Sequence, residues 1–181
     1  MPHGARNRIL NAAEERVLSG GPAGLVLDAI AADAGVSKGG LLYHFANKEA
    51  LVAALCERML HRFDHELEAL RQADGGDTGA AARAYLSSTV THEGKPADNS
   101  AQLMAGILAT LGRDSPHLEA VRARFAEWQE TLVGDGLDDT TATIVRLATD
   151  GLWLSALLGL PQLDPDLGRR TLRALRDMTR A

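Results

Sequence analysis

Residues 27–51 read LDAIAADAGVSKGGLLYHFANKEAL, and their punctuation leaves this chain few ways to fold. A short apolar-periodic helix ends at Gly35, a residue type suited to the left-handed position just past a helix. Val36 then packs, and Ser37 is a good N-cap for a second short helix. Asn47 caps a third, with Glu49 in the first turn, where the helix dipole favours a negative charge. Two short helices joined by a tight turn and followed by a longer one is the order of a helix-turn-helix.

Elsewhere apolar residues recur at three- and four-residue intervals and alternating β-branched runs are missing, so the chain reads as all-α. Helix 1 is expected from Ala5 to Ser19, with Ile9, Leu10, Ala13, Val17 and Leu18 inward and Arg6, Arg8, Glu14 and Glu15 outward. Gly20, Gly21, Pro22 and Gly24 stop it. Helix 2 follows from about Val26 to Ala34, burying Leu27, Ile30 and Ala31. Helix 3 runs from Lys38 to Phe45, about 12 Å at helical rise.

Helix 4, capped by Asn47, is expected to reach about Gln72 along a stripe of Leu51, Leu55, Met59, Phe63, Leu67 and Leu70. Loops at Ala73 to Gly79 and Glu93 to Asn99 separate helices near 80–92 and 100–112. Asp114, Ser115 and Pro116 open a helix over 116–133. Further helices cover about 139–159 and 164–179.

Composition narrows the function classes. With 181 residues, 45% hydrophobic and 24% charged, the chain is an ordinary globular protein. Its longest apolar stretch, Leu152 to Leu160, falls well short of the roughly 20 residues that span a bilayer. No charged-then-apolar leader opens it, so a cytoplasmic protein is expected. Cys56 is alone, which rules out an intrachain disulfide and suits a core filler. His61 and His65, four apart beside Glu57 and Asp64, have metal-binding spacing without a convincing third ligand, so no metal and no cofactor is expected. No P-loop, dinucleotide loop, nucleophile elbow or HExxH stands in the chain.

The net charge of −5 is unevenly spread. Residues 1–48 carry five Lys/Arg against four acids, and the remaining 133 carry 14 against 20. A mildly basic head on an acidic body still suits nucleic acid, because charge near the phosphates is what matters, and affinity would need a dimer.

The segment AIAADAGVSKGGLLYHFANKEAL resembles the DNA-binding signature of TetR-family transcriptional regulators, and the resemblance covers about residues 5–55. It implies an N-terminal three-helix helix-turn-helix DNA-binding domain over 1–48 and a C-terminal helical ligand-binding and dimerisation domain over 49–181, with a long connecting helix near 47–72. It further implies a homodimeric repressor that a small molecule releases from a double-stranded operator. A helical dimeric adaptor, or an enzyme with a degenerate head, is the alternative.

On the head, Ser37, Lys38, Gly39, Gly40, Leu42, Tyr43, His44 and Lys48 are the candidate DNA contacts. Lys38 reaches a guanine edge or a phosphate, and Tyr43 and His44 donate to phosphates or bases. Gly39 and Gly40 each cost about 1 kcal/mol in a helix relative to Ala, which calls for close packing on helix 2 or close approach to DNA. Three positions depart from the family's pattern. Val26 replaces a Ser or Thr cap, Asp28 puts a negative charge where basic residues are common, and Leu42 takes the usual tyrosine position with Tyr43 beside it. Helix 3 has no Arg, Asn or Gln for base readout.

In the body, Met104, Leu108, Phe125, Trp128 and Trp153 are the candidate ligand contacts, predicting a hydrophobic or amphipathic effector, with His92 and Gln102 as polar anchors. Leu147, Gly151, Leu154, Ser155 and Leu158 on one helix, with Leu172 and Leu175 on the last, are the candidates for a two-fold interface.

Overall fold

Caps and breakers set where each helix begins and ends. The computed structural model describes residues 2–89, 99–111, 116–161 and 163–180, and every regular element in them is helical. The helices are α1 (Pro2–Gly20), α2 (Leu27–Asp33), α3 (Lys38–His44), α4 (Lys48–Ala73), α5 (Ala80–Thr89), α6 (Ser100–Leu108), α7 (Pro116–Val133), α8 (Asp139–Leu157) and α9 (Pro165–Met178). Asn47 Oδ1 accepts the Ala50 N–H at 2.8 Å, and Asp138 and Asp164 cap α8 and α9 in the same way. None of these helices is long and apolar enough to cross a membrane.

Three local features differ from the sequence reading. Gly21–Gly24 winds into a 3-10 turn instead of an irregular break. α6 stops at Leu108, before the expected 112, because Thr110 turns its hydroxyl back onto the Ile107 carbonyl at 2.7 Å while its N–H tightens to an i−3 bond. Glu14, expected in solvent, is largely buried and pairs with Arg58 at 2.8 Å. His92 and the Asp114–Ser115 start lie outside the described residues.

The described residues fall into two compact units, Met1–Met59 with Gln102–Val121, and Leu60–Ala101 with Arg122–Ala181. The core of the first is built from Ile9, Leu10 and Val17 of α1, Ile30 of α2, Leu41 of α3, Leu51 and Leu55 of α4, and Ile107 of α6. Arg8 Nε donates to the Ala34 carbonyl at 3.0 Å and Arg16 pairs with Asp33 at 2.6 Å, so α1 holds the C-terminal end of α2.

α6 lies close against α1. Gln102 Nε2 donates to the Leu18 carbonyl at 2.9 Å, and a Cβ at Gly106 would run into Cγ1 of the buried Val17. Gly106→Ala is therefore expected to lower stability by about 1–3 kcal/mol, overpacking outweighing the helix propensity gained. A urea titration checks this, and an unchanged or higher midpoint would contradict it.

In the second unit α5 is buried on nearly every side, its alanines allowing neighbouring elements to come close. Asp135 Oδ2 accepts the Ala81 N–H at 2.7 Å and so caps α5 from a distance. Gly79, at φ +81°, lies where a Cβ would meet the Thr179 carbonyl, and Arg83 donates to that same oxygen at 2.8 Å.

Candidate nucleic-acid interface

Gly35 adopts φ +63°, the left-handed turn between α2 and α3, and its N–H bonds the Ala32 carbonyl. Ser37 Oγ accepts the Gly40 N–H at 3.0 Å and so caps α3. Leu41 and Phe45 are buried and fix the inner side of this short helix. Lys38, Gly39, Leu42 and Tyr43 are exposed, Gly40 and His44 are half-buried, and Tyr43 stands out at 84%. The Tyr43 ring meets His44 edge-on at 5.3 Å between centroids.

Gly39 and Gly40 have no helix-2 atom against them. A Cβ at Gly39 would find only Ser37 Oγ at 4.0 Å, and one at Gly40 only Ser37 Oγ and Val36 Cβ. Packing on helix 2 is thus not what these glycines serve in the fold. Val26 starts α2 without a side-chain cap, as the sequence indicates.

Asp28 is not an isolated charge. Its two carboxylate oxygens lie 3.0 and 3.1 Å from Lys38 Nζ, both side chains exposed. Asp28 stands out in the sequence as a departure, but the pairing was hidden because the partners are ten residues apart on different helices. Lys48 is the half-buried first residue of α4, and Arg6 lies over the Phe45 ring at 5.4 Å.

The ligand candidates divide between the units. Met104 is buried and Leu108 half-buried in the first; Phe125, Trp128 and Trp153 belong to the second. Gln102, expected as a polar anchor, is spent on the Leu18 carbonyl. Phe125 and Trp128 pack at 4.9 Å, and Phe63, expected only on the helix 4 stripe, and Tyr85, which sequence reasoning did not single out, complete an aromatic cluster with Trp128 at 4.7 and 6.1 Å.

Carboxylates flank that cluster. Trp128 Nε1 donates to Asp64 at 2.9 Å, and Asp64 also holds Arg124 at 3.0 Å. Tyr85 donates to Asp150 at 2.6 Å, Asp150 pairs with Arg146 at 2.6 Å, and Arg146 donates to Gln129. Burial pushes the Asp150 carboxyl above the usual range despite Tyr85 and Arg146, and pushes the Tyr85 hydroxyl up as well.

On α8, Ile144, Leu147, Gly151 and Leu154 are exposed, as is its C-cap Leu158. Leu172 and Leu175 of α9, expected at an interface, are instead core residues of their own unit at 3% and 5% exposure; Leu167 and Met178 are the outward apolar residues of that helix. His61 and His65 are exposed, and among the described residues no three His, Cys, Asp or Glu could hold a metal ion. Cys56 is buried, which raises its thiol pKa and disfavours the reactive thiolate.

A glycine-turned helix pair presenting a short solvent-facing helix, followed by a helical body, defines a helix-turn-helix DNA-binding protein. The model of bacterial regulatory proteins of the tetR family matches residues 9–55, and that of the tetracyclin repressor-like C-terminal domain matches 79–180. The chain belongs to the TetR family of transcriptional regulators and is a DNA-binding regulator, not an enzyme.

Solved structures agree. A TetR-family member from Streptomyces coelicolor A3 is 29% identical over 94% of this chain and 97% of its own, with a TM-score of 0.64. The multidrug binding protein EbrR, solved with malachite green, is 29% identical over 94% and 96%, with a TM-score of 0.60. A transcriptional regulator from Rhodococcus sp. Rha1, 23% identical over 96% and 95%, shares the fold with a TM-score of 0.74. No curated protein matches the chain.

Proposed function

We propose that this chain is a cytoplasmic, homodimeric repressor that leaves its operator when a small hydrophobic or amphipathic molecule binds its body. Residues 1–48 form the DNA-binding domain, with Ser37, Lys38, Gly39, Gly40, Leu42, Tyr43, His44 and Lys48 facing the duplex. Residues 49–181 dimerise and take the ligand.

The observation that carries this reading is the outer side of α8. Ile144, Leu147, Gly151, Leu154 and Leu158 follow a three-four-three-four spacing, and the four large residues are 45%, 56%, 48% and 59% exposed. That spacing is the seam of a pair of packed helices, and a two-fold axis would bring one seam against its copy. Nothing lies within 4 Å of a Cβ placed on Gly151, so this point leaves room for a close approach. Ser155 bonds its hydroxyl to the Gly151 carbonyl at 2.8 Å and can enter such a seam without an orphaned donor.

Phe125, Trp128 and Trp153, which belong to one unit, are the proposed ligand contacts. The complexes of EbrR with malachite green and with ethidium, the latter protein copy 30% identical to this chain, support an aromatic effector. Adding malachite green to the protein on fluorescently labelled DNA from its own promoter region is expected to quench tryptophan emission and release the DNA. DNA that stays bound while the dye saturates the protein would contradict ligand-driven release.

A further inference from the structure

Lys38 and Asp28 stand side by side on the surface of the head, and at 62% and 64% exposure their ion pair adds little to stability. Other basic residues of the head have structural partners: Arg8 the Ala34 carbonyl, Arg16 Asp33, Arg6 the Phe45 ring. A lysine used only to grip a phosphate gains nothing from a neighbouring carboxylate. The carboxylate cancels the charge that displaces counterions and repels the phosphate itself.

A donor and an acceptor held 3.0 Å apart do fit another target, the major-groove edge of a base pair. In a G·C pair, guanine O6 accepts and cytosine N4 donates, and these atoms, bonded to each other, are about 2.9 Å apart. An A·T pair also offers a donor beside an acceptor, but thymine O4 is flanked by a methyl group, whereas guanine gives an ammonium two acceptors, O6 and N7.

We propose that Asp28 and Lys38 act as one reading unit for a G·C base pair in each half-site, Lys38 donating to guanine and Asp28 accepting from cytosine N4. This rests on the reading that α3 faces the duplex. It gives a helix without Arg, Asn or Gln a direct means of base recognition, and it makes Asp28 a brake on indiscriminate phosphate binding. The orientation of the base pair is specified too, because exchanging G and C exchanges donor and acceptor.

Selection of bound sites from a random duplex pool tests this, using the full-length protein, Asp28→Ala and Lys38→Met. The unaltered protein is expected to enrich G·C at one position per half-site, and both variants to lose roughly tenfold of that preference at the same position while keeping the others. Asp28→Ala is also expected to bind unselected DNA more tightly, with a salt slope steeper by about one per head, because Lys38 can then meet a phosphate. Unchanged melting temperatures confirm that the head is folded. Preference retained in both variants, lost at different positions, or directed to A·T, would overturn the pairing. A protein that selects no sequence at all would instead overturn the DNA-facing reading of α3.

Discussion

Leu154→Glu is expected to convert the dimer to monomers and to weaken operator binding at least about 100-fold, because a dimer binds two half-sites at once and a monomer only one. Leu154 lies in the middle of the exposed α8 stripe, flanked by Leu147 and Leu158. Burying a leucine contributes about 1.5–3 kcal/mol, and a two-fold axis counts the loss twice. The replacement also brings two carboxylates towards one desolvated seam, which like charges oppose. Sedimentation velocity reads the mass and fluorescence anisotropy reads the DNA affinity. Leu172→Ala is the contrast: Leu172 is buried in its own chain, so that variant loses stability first. A Leu154→Glu protein that remained a dimer with full affinity would remove α8 from the interface.

Lys48→Ala and Lys38→Ala together are expected to abolish operator binding, and each alone to weaken it in a different way. Lys48 opens α4 and is the proposed phosphate contact, so its loss is expected to weaken binding to every sequence and to lower the salt slope by about 0.9 per head. On the proposed pairing Lys38 reads a base, so its loss is expected to erase preference at one position. It also leaves Asp28 facing the duplex without its counter-charge. At 1–3 kcal/mol for each base contact and two heads per operator, Lys38→Ala costs at least about 30-fold. Lys38 is exposed, so melting temperature should hardly move. A variant pair that still bound the operator with unchanged salt dependence would place the DNA contacts elsewhere.

What the sequence made legible were the features set by neighbours along the chain. Ser37, Asn47 and Asp164 each bond a backbone N–H two or three residues ahead, and Gly35 turns within its own segment, so the head and the helix starts could be read directly. Features set by distant partners were not legible. Glu14 looks like a surface acid until α4 brings Arg58 to it from 44 residues away. Tyr85 and Asp150 are 65 residues apart, and nothing in either local sequence announces the bond between them. On α9, helical periodicity shows that there is an apolar side but not which leucines turn outward. Leu167 and Met178, eleven residues and about three turns apart, return to one exposed side, while Leu172 and Leu175 face the core. The helix that carries most of the candidate DNA contacts, α3, was legible for the opposite reason, since it is one contiguous segment of seven residues.

On the proposed function α3, with Lys38, Tyr43 and Gly39 outward, reads a specific duplex sequence for a two-headed protein. Nuclease protection of DNA around its own gene tests that most directly. One protected site with two-fold related halves is expected, lost in Leu154→Glu and in the Lys38→Ala, Lys48→Ala pair. Uniform protection at low salt, or none, would contradict it.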